Sequence, residues 1–231
     1  MDNLVDIVRT IIDKLPRELK IINVVDSTLF VCETTGWLTI GKVISINALE
    51  YKINSIENNV SLTVEPFNHS TPVALDTTEV IQHEITYFHG KPSSVNNEYS
   101  LKDEYTRNKT PFSWVYENYE YTGEDTESAF AAEFNGIRIF FLDWTKVQEW
   151  NNDEHNKYVI KPMENLAKMV VAYIKEDYSF RRPENYRIKP HTRFGVDRTN
   201  KGDDKKIINE DLSGVELNIS LQLYNLDFCK C

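Results

Sequence analysis

Cysteine, glycine, proline and long apolar runs are all scarce in this chain, and each scarcity excludes something. Its 231 residues hold 3 Cys, 8 Gly and 8 Pro. The cysteines, Cys32, Cys229 and Cys231, are too few for a disulfide framework. Cys229-Lys230-Cys231 offers two thiolates where a structural zinc site takes four ligands, and neither Cys32 nor the scattered histidines has a matching spacing. Reduced thiols and no cofactor are the expectation. No apolar stretch approaches the roughly 18 residues that cross a bilayer, and mean hydropathy is −0.46, so no membrane partner is expected. Met1-Asp2-Asn3 is acidic where a signal peptide needs a basic region, and export is not expected. Basic residues are also short: 26 Lys+Arg face 36 Asp+Glu, a formal charge of −10, which argues against general nucleic-acid binding because phosphate neutralisation needs a basic excess.

What is present is mainly strand-like. Leu4, Val8, Ile11, Ile12 and Leu15 recur at helical spacing and Pro16 ends the pattern, which predicts an amphipathic first helix. Period-two alternation then predicts a meander of four strands over 21–32, 37–46, 49–56 and 60–65, with Leu38, Ile40, Ile44 and Ile46 on one face. Val80 to Phe88 reads as a further strand, and the apolar run Ile137 to Leu142 as a buried one. Pro162 suits a first helical turn, and Met163, Leu166, Ala167, Val170, Val171 and Ile174 form the stripe of a late helix. Val215, Leu217, Ile219, Leu221 and Leu223 alternate with Glu216, Asn218, Ser220 and Gln222, predicting a closing strand with one buried and one wet face. The expected fold is α+β: one domain over 1–231, a mostly antiparallel sheet packed by two helices, with an inserted arm or long loop at 89–130.

Two segments carry opposite charge. Within the arm, the stretch 96–127 is acidic and aromatic, with Tyr99, Tyr105, Trp114, Tyr116, Tyr119 and Tyr121 beside Glu117 and Glu120. Residues 175–206 are basic, with Arg181, Arg182, Arg187, Lys189 and Arg193 among Tyr178, Phe180, Tyr186 and Phe194. Tyr, Trp and Arg are the residues that anchor interfaces. A head-to-tail contact between identical subunits is the favoured use, ahead of an internal fold-back of one segment on the other or a nucleic-acid surface.

Catalytic motifs find no support. His83-Glu84 and His89 are spaced wrongly for two zinc ligands on one helical turn. Glu133 and Asp143 flank the apolar strand with Lys146 after them, the outline of a metal-dependent nuclease, but position 144 is Trp where a second carboxylate is usual. Neither Gly-x-Ser-x-Gly nor Gly-x-x-x-x-Gly-Lys occurs. An alternative from another class is a stand-alone glycan- or peptide-binding module that uses the aromatic segment 99–121, Trp114 and Tyr116 above all.

A short first helix, a strand meander, an apolar strand at Ile137–Leu142, a helix from Pro162 to Ile174 and a closing strand from Leu212 to Tyr224 together resemble the layout of neck or tail-completion proteins of tailed bacteriophages, tail terminators in particular. The Asn-, Ile-, Lys- and Tyr-rich usage suits the AT-rich genomes that many such phages have. The resemblance implies a structural virion protein assembled in the host cytoplasm: a homo-oligomeric ring that caps the tail tube, meets tail-tube, portal or connector proteins, and lets DNA pass. It implies no catalytic residues.

Overall fold

The computed structural model describes residues 4–15, 17–31, 37–57, 60–68, 80–82, 85–101, 110–123, 130–146, 149–198, 204–208 and 210–224. Cys32, Cys229, Cys231, His83, Glu84 and Tyr105 lie outside them. The fold is α+β, built from a small closed barrel and a larger sheet that share one apolar core.

The barrel uses six strands, β1 (Glu18–Val25), β2 (Thr28–Val31), β3 (Val43–Ile46), β4 (Leu49–Glu57), β5 (Ser61–Pro66) and β6 (Val80–Gln82), in the order β1-β2-β5-β4-β3-β6. Leu19, Ile21, Leu29, Val31, Ile44, Ile46, Ile53, Leu62 and Val64 are buried, the inward half of an alternating pattern. The strands expected over 21–32 and 37–46 differ from those observed. The first divides at Asp26, whose short side chain tolerates the left-handed backbone (φ 53°) of a turn. The second keeps only Val43–Ile46, because Trp37 and Leu38 are buried ahead of it in irregular backbone. The expected meander does not form: β2 pairs with β5 rather than with β3, and β6 closes the barrel by pairing with both β1 and β3.

The stretch Val80 to Phe88, expected as one strand, is shared between two layers. Its first residues form β6 of the barrel, and β7 (Thr86–Gly90) belongs to the seven-stranded sheet. The stretch 89–130, expected as an arm or long loop, supplies the end of β7, then α2 (Pro92–Leu101), β8 (Phe112–Tyr116) and β9 (Glu120–Gly123). The β7 and β8 strands are parallel. A parallel pair needs a crossover, and α2 is that crossover.

Two long strands form the sheet's centre, β10 (Phe130–Trp144) and β15 (Leu212–Tyr224). They pair antiparallel from Phe130↔Tyr224 to Trp144↔Leu212, with a register shift between Phe134 and Ile137 where Gly136 takes φ 68°. There β10 changes partner: residues 132–135 pair with β9 and residues 138–142 with β8. On the other side, β15 pairs with β11 (Phe180–Arg181) and β12 (Tyr186–His191). A separate small hairpin joins β13 (Val196–Arg198) to β14 (Asp204–Lys206).

Alternation along these strands makes two apolar faces. Val115, Ile137, Ile139, Phe141, Val215, Leu217, Ile219 and Leu221 join the main core, covered by α1 (Leu4–Asp13) and α4 (Lys161–Glu176). The expected stripe of α4 is buried in full, and each such large side chain contributes about 1.5–3 kcal/mol. A short helix, α3 (Asn152–His155), leads into α4; Asn151 and Glu154 cap it reciprocally, and a π-helical turn, Asn156–Ile160, precedes Pro162. The α1 helix is pinned to β7, since Tyr87 Oη donates to Val5 O at 2.8 Å and Arg9 stacks on the Tyr87 ring. The opposite sheet face holds a second cluster, in which Phe112, Trp114, Phe140, Leu142 and Leu212 meet Val95 and Tyr99 of α2 together with Phe194 and Ile208.

Candidate functional site

The charged segments end up on opposite sides of one sheet. Across it the order is β11/β12, β15, β10, then β9 along one half of β10 and β8 followed by β7 along the other. Arg181, Arg182, Arg187, Lys189 and Arg193 are all exposed at or beside the first edge. Glu120 and Tyr121 are exposed on the other side, on β9, and Glu117 is exposed in the turn between β8 and β9. Three inter-strand gaps, about 14 Å, separate β12 from β9 and β8. Arg181 pairs with Glu184 at 3.0 Å within the chain, and Glu117 Oε1 lies at hydrogen-bond distance, 2.6 Å, from His89 Nδ1. Among the described residues Arg182, Arg187 and Lys189 make no ion pair.

The aromatic residues of the acidic segment divide by the element that carries them. Tyr121 is exposed and Tyr119 half-buried, both packing on Phe134. Trp114 and Tyr99 are each only 2% exposed and belong to the second cluster, while Tyr116 is half-buried at its margin. Burial pushes the Tyr99 hydroxyl above its ordinary range. Trp114 Nε1 donates to Gly90 O at 2.9 Å, which fixes the indole.

At that margin lies a cavity of about 270 Å³. Trp114 and Phe140 stack at 4.9 Å, Phe194 stands edge-on to both, and Tyr116 meets Trp114 edge-on at 5.7 Å. Arg138 also lines the cavity, its guanidinium 5.3 Å from the Tyr116 centroid and 5.2 Å from that of Phe140. Its Nε donates to Glu216 Oε1 at 2.6 Å, and His191 Nε2 lies 3.1 Å from Glu216 Oε2. Burial alone would raise the Glu216 carboxyl, but the hydrogen bonds from Arg138 and His191 outweigh it and hold the group below its usual range. Glu216 was expected on the wet face of the closing strand; it is 6% exposed, because β12 and the aromatic cluster cover that end of β15, and the wet face is confined to Asn218, Ser220 and the half-buried Gln222.

Sequence reasoning missed Arg138, Phe140, His191 and Glu216, and placed Phe194 among the surface aromatics of the basic segment, whereas it is buried in the second cluster. The available signal was parity, since Arg138 is the lone charge inside Ile137–Leu142 and shares a strand face with Phe140.

The carboxylates of the nuclease outline are not brought together. Glu133 and Asp143 sit ten residues apart on the continuous strand β10, opposite Gln222 and Ser213, which is about 30 Å of extended chain. Asp143 is a structural tie instead: Thr39 Oγ1 of the barrel segment donates to its Oδ2, and the Trp144 N–H donates to Oδ1 at 2.7 Å. Burial pushes its carboxyl above the carboxylate range against the opposing pull of Thr39, Lys42 and Thr110. Nearby, buried His155 has Nδ1 2.8 Å from Thr145 Oγ1 and 3.2 Å from Ser213 Oγ, and burial, with Arg193, lowers its basicity. Among the described residues no group of three or more His, Cys, Asp or Glu is arranged to hold a metal, and no helix is long and apolar enough to cross a membrane.

No family model, curated protein or solved structure matches this chain.

Proposed function

We propose that this chain is a structural virion protein that forms a homo-oligomeric ring at the head–tail neck or the end of the tail tube, acting by assembly. The observation that carries the reading is the charge polarity of the sheet: exposed Arg182, Arg187 and Lys189 on one side, exposed Glu117 and Glu120 on the other. A heterologous contact joins two different patches of identical subunits, and it closes into a ring when its rotation divides a full turn. Opposite charges on the two patches steer copies head to tail and disfavour head-to-head pairing. The barrel has no free edge to offer, so lateral contacts fall to the sheet. The resemblance in layout supplies the location, with tail-tube, portal or connector proteins as partners. The acid excess of the chain suits a passage for DNA, since a negative wall repels phosphate.

The test is native mass spectrometry and light scattering of the purified chain, alone and with its tail-tube partner. Rings are expected, weakening with added salt. Arg187→Glu with Lys189→Glu should abolish them, as should Glu117→Lys with Glu120→Lys, and mixing the two variants should restore contacts between unlike copies. A chain that stays monomeric under all these conditions overturns the reading.

A further inference from the structure

We propose that the cavity walled by Trp114, Tyr116, Phe140 and Phe194 is a binding site for a small ligand with one flat aromatic ring and an acidic group. This site is independent of ring assembly, because one chain supplies every wall.

Four observations define the ligand. First, size: a space of about 150 Å³ takes a benzene ring, and about 270 Å³ leaves room for a ring with a short acid arm. Second, shape: the Trp114–Phe140 stack, with Phe194 edge-on to both, presents faces and edges to a planar guest, the arrangement in which aromatic pairs gain most. Third, wall polarity: the walls are nearly all ring and aliphatic surface, so the several hydroxyls of a sugar would lose water without finding partners. That disfavours a glycan although Trp114 and Tyr116 are the very residues a glycan site would use.

Fourth, the sign of the charge. Glu216 spends both oxygens on Arg138 and His191 and is buried, so its charge is compensated. Arg138 is 36% exposed by its side chain, is fixed through Nε, and donates from neither Nη to any described residue. A guanidinium held on one edge, with its other donors open, suits a carboxylate at the cavity mouth. The same cation repels an ammonium.

The probes are phenylacetate, benzyl alcohol and phenethylamine, titrated into the full chain by calorimetry and ligand-observed NMR. Phenylacetate is expected to saturate with a Kd of about 1 mM or tighter and to bind about ten-fold more tightly than phenethylamine. Arg138→Met should cost the acid about ten-fold and leave benzyl alcohol unchanged. Because Arg138→Met also strips a partner from Glu216, a second variant keeps the test sound: Ile207 lines the cavity and is 46% exposed, so Ile207→Glu leaves the packing intact and should invert the order of acid and amine. Absence of saturable phenylacetate binding, equal affinities for acid and amine, or a preference unmoved by both variants each overturns the proposal.

Discussion

Gly214 stands where three strands meet, opposite Leu142 of β10 on one side and His191 of β12 on the other. A Cβ placed there would lie 2.0 Å from Phe141 O and 2.9 Å from Leu142 Cα. Both are backbone atoms, so no side chain can swing aside. Relieving the overlap means parting β10 and β15 by more than 1 Å locally, enough to break the flanking ladder hydrogen bonds, each worth about 1 kcal/mol net. Loosened packing on both faces adds about 1–3 kcal/mol. Gly214→Ala should therefore cost about 3–5 kcal/mol, a large share of the roughly 5–15 kcal/mol that holds a typical domain. Gly136 in the same pair of strands is the control: a Cβ there meets nothing within 4 Å, and the penalty comes only from its φ of 68°, about 1–2 kcal/mol. Urea denaturation followed by circular dichroism would read the two, with Gly214→Ala moving the midpoint down by about 1–2 M and Gly136→Ala by less than half of that. If Gly214→Ala proves as stable as Gly136→Ala, the close approach of β10 and β15 is wrong, and with it the placement of Glu216 two residues on.

Two further predictions concern the barrel and the Glu216 network. The two-residue turn between β3 and β4 puts Asn47 at φ 50° and Ala48 at φ 61°; glycine adopts the latter without strain, so Ala48→Gly should stabilise by about 1 kcal/mol, read as a raised urea midpoint. Glu216 has its carboxyl held down in the folded state, so its contribution is present above the unfolded value and lost as pH falls through the folded one. Glu216→Gln should cost about 2–3 kcal/mol at neutral pH, discounted for the partial exposure of Arg138, and should flatten the acid limb of stability below about pH 4.5; an unchanged acid limb would refute that assignment.

The elements with strong periodicity were legible in the sequence. The α1 stripe, the α4 stripe and the alternation of β15 each hold enough buried side chains to show their period. Elements made of few buried residues were not. The α2 helix buries only Val95 and Tyr99, one turn apart, and its remaining residues are polar, so no stripe stands out. The β6 strand is three residues long, yet its two pairings close the barrel. Closure depends on a pairing between segments roughly sixty residues apart, which no local pattern encodes. Of the sheet's charged sides, composition already separated the acidic from the basic segment; their position on opposite sides follows from pairings with β10 and β15. The cavity was hidden for the same reason, since Arg138 and Glu216 meet across 78 positions of sequence.

Among the described strands β15 is the last to be synthesised, and it is the one on which β10, β11 and β12 all wait for hydrogen-bond partners. The barrel needs nothing beyond Gln82 for its ladders. On the ribosome, then, the barrel strands can pair while β10 is still being made, and β10 must then remain without its central neighbour through the whole of α4 and the basic segment. For that interval its Ile137–Leu142 run can pair with β8 on one side and lies open on the side that β15 later takes. Chaperone demand should therefore track the time taken to translate the residues between β10 and β15.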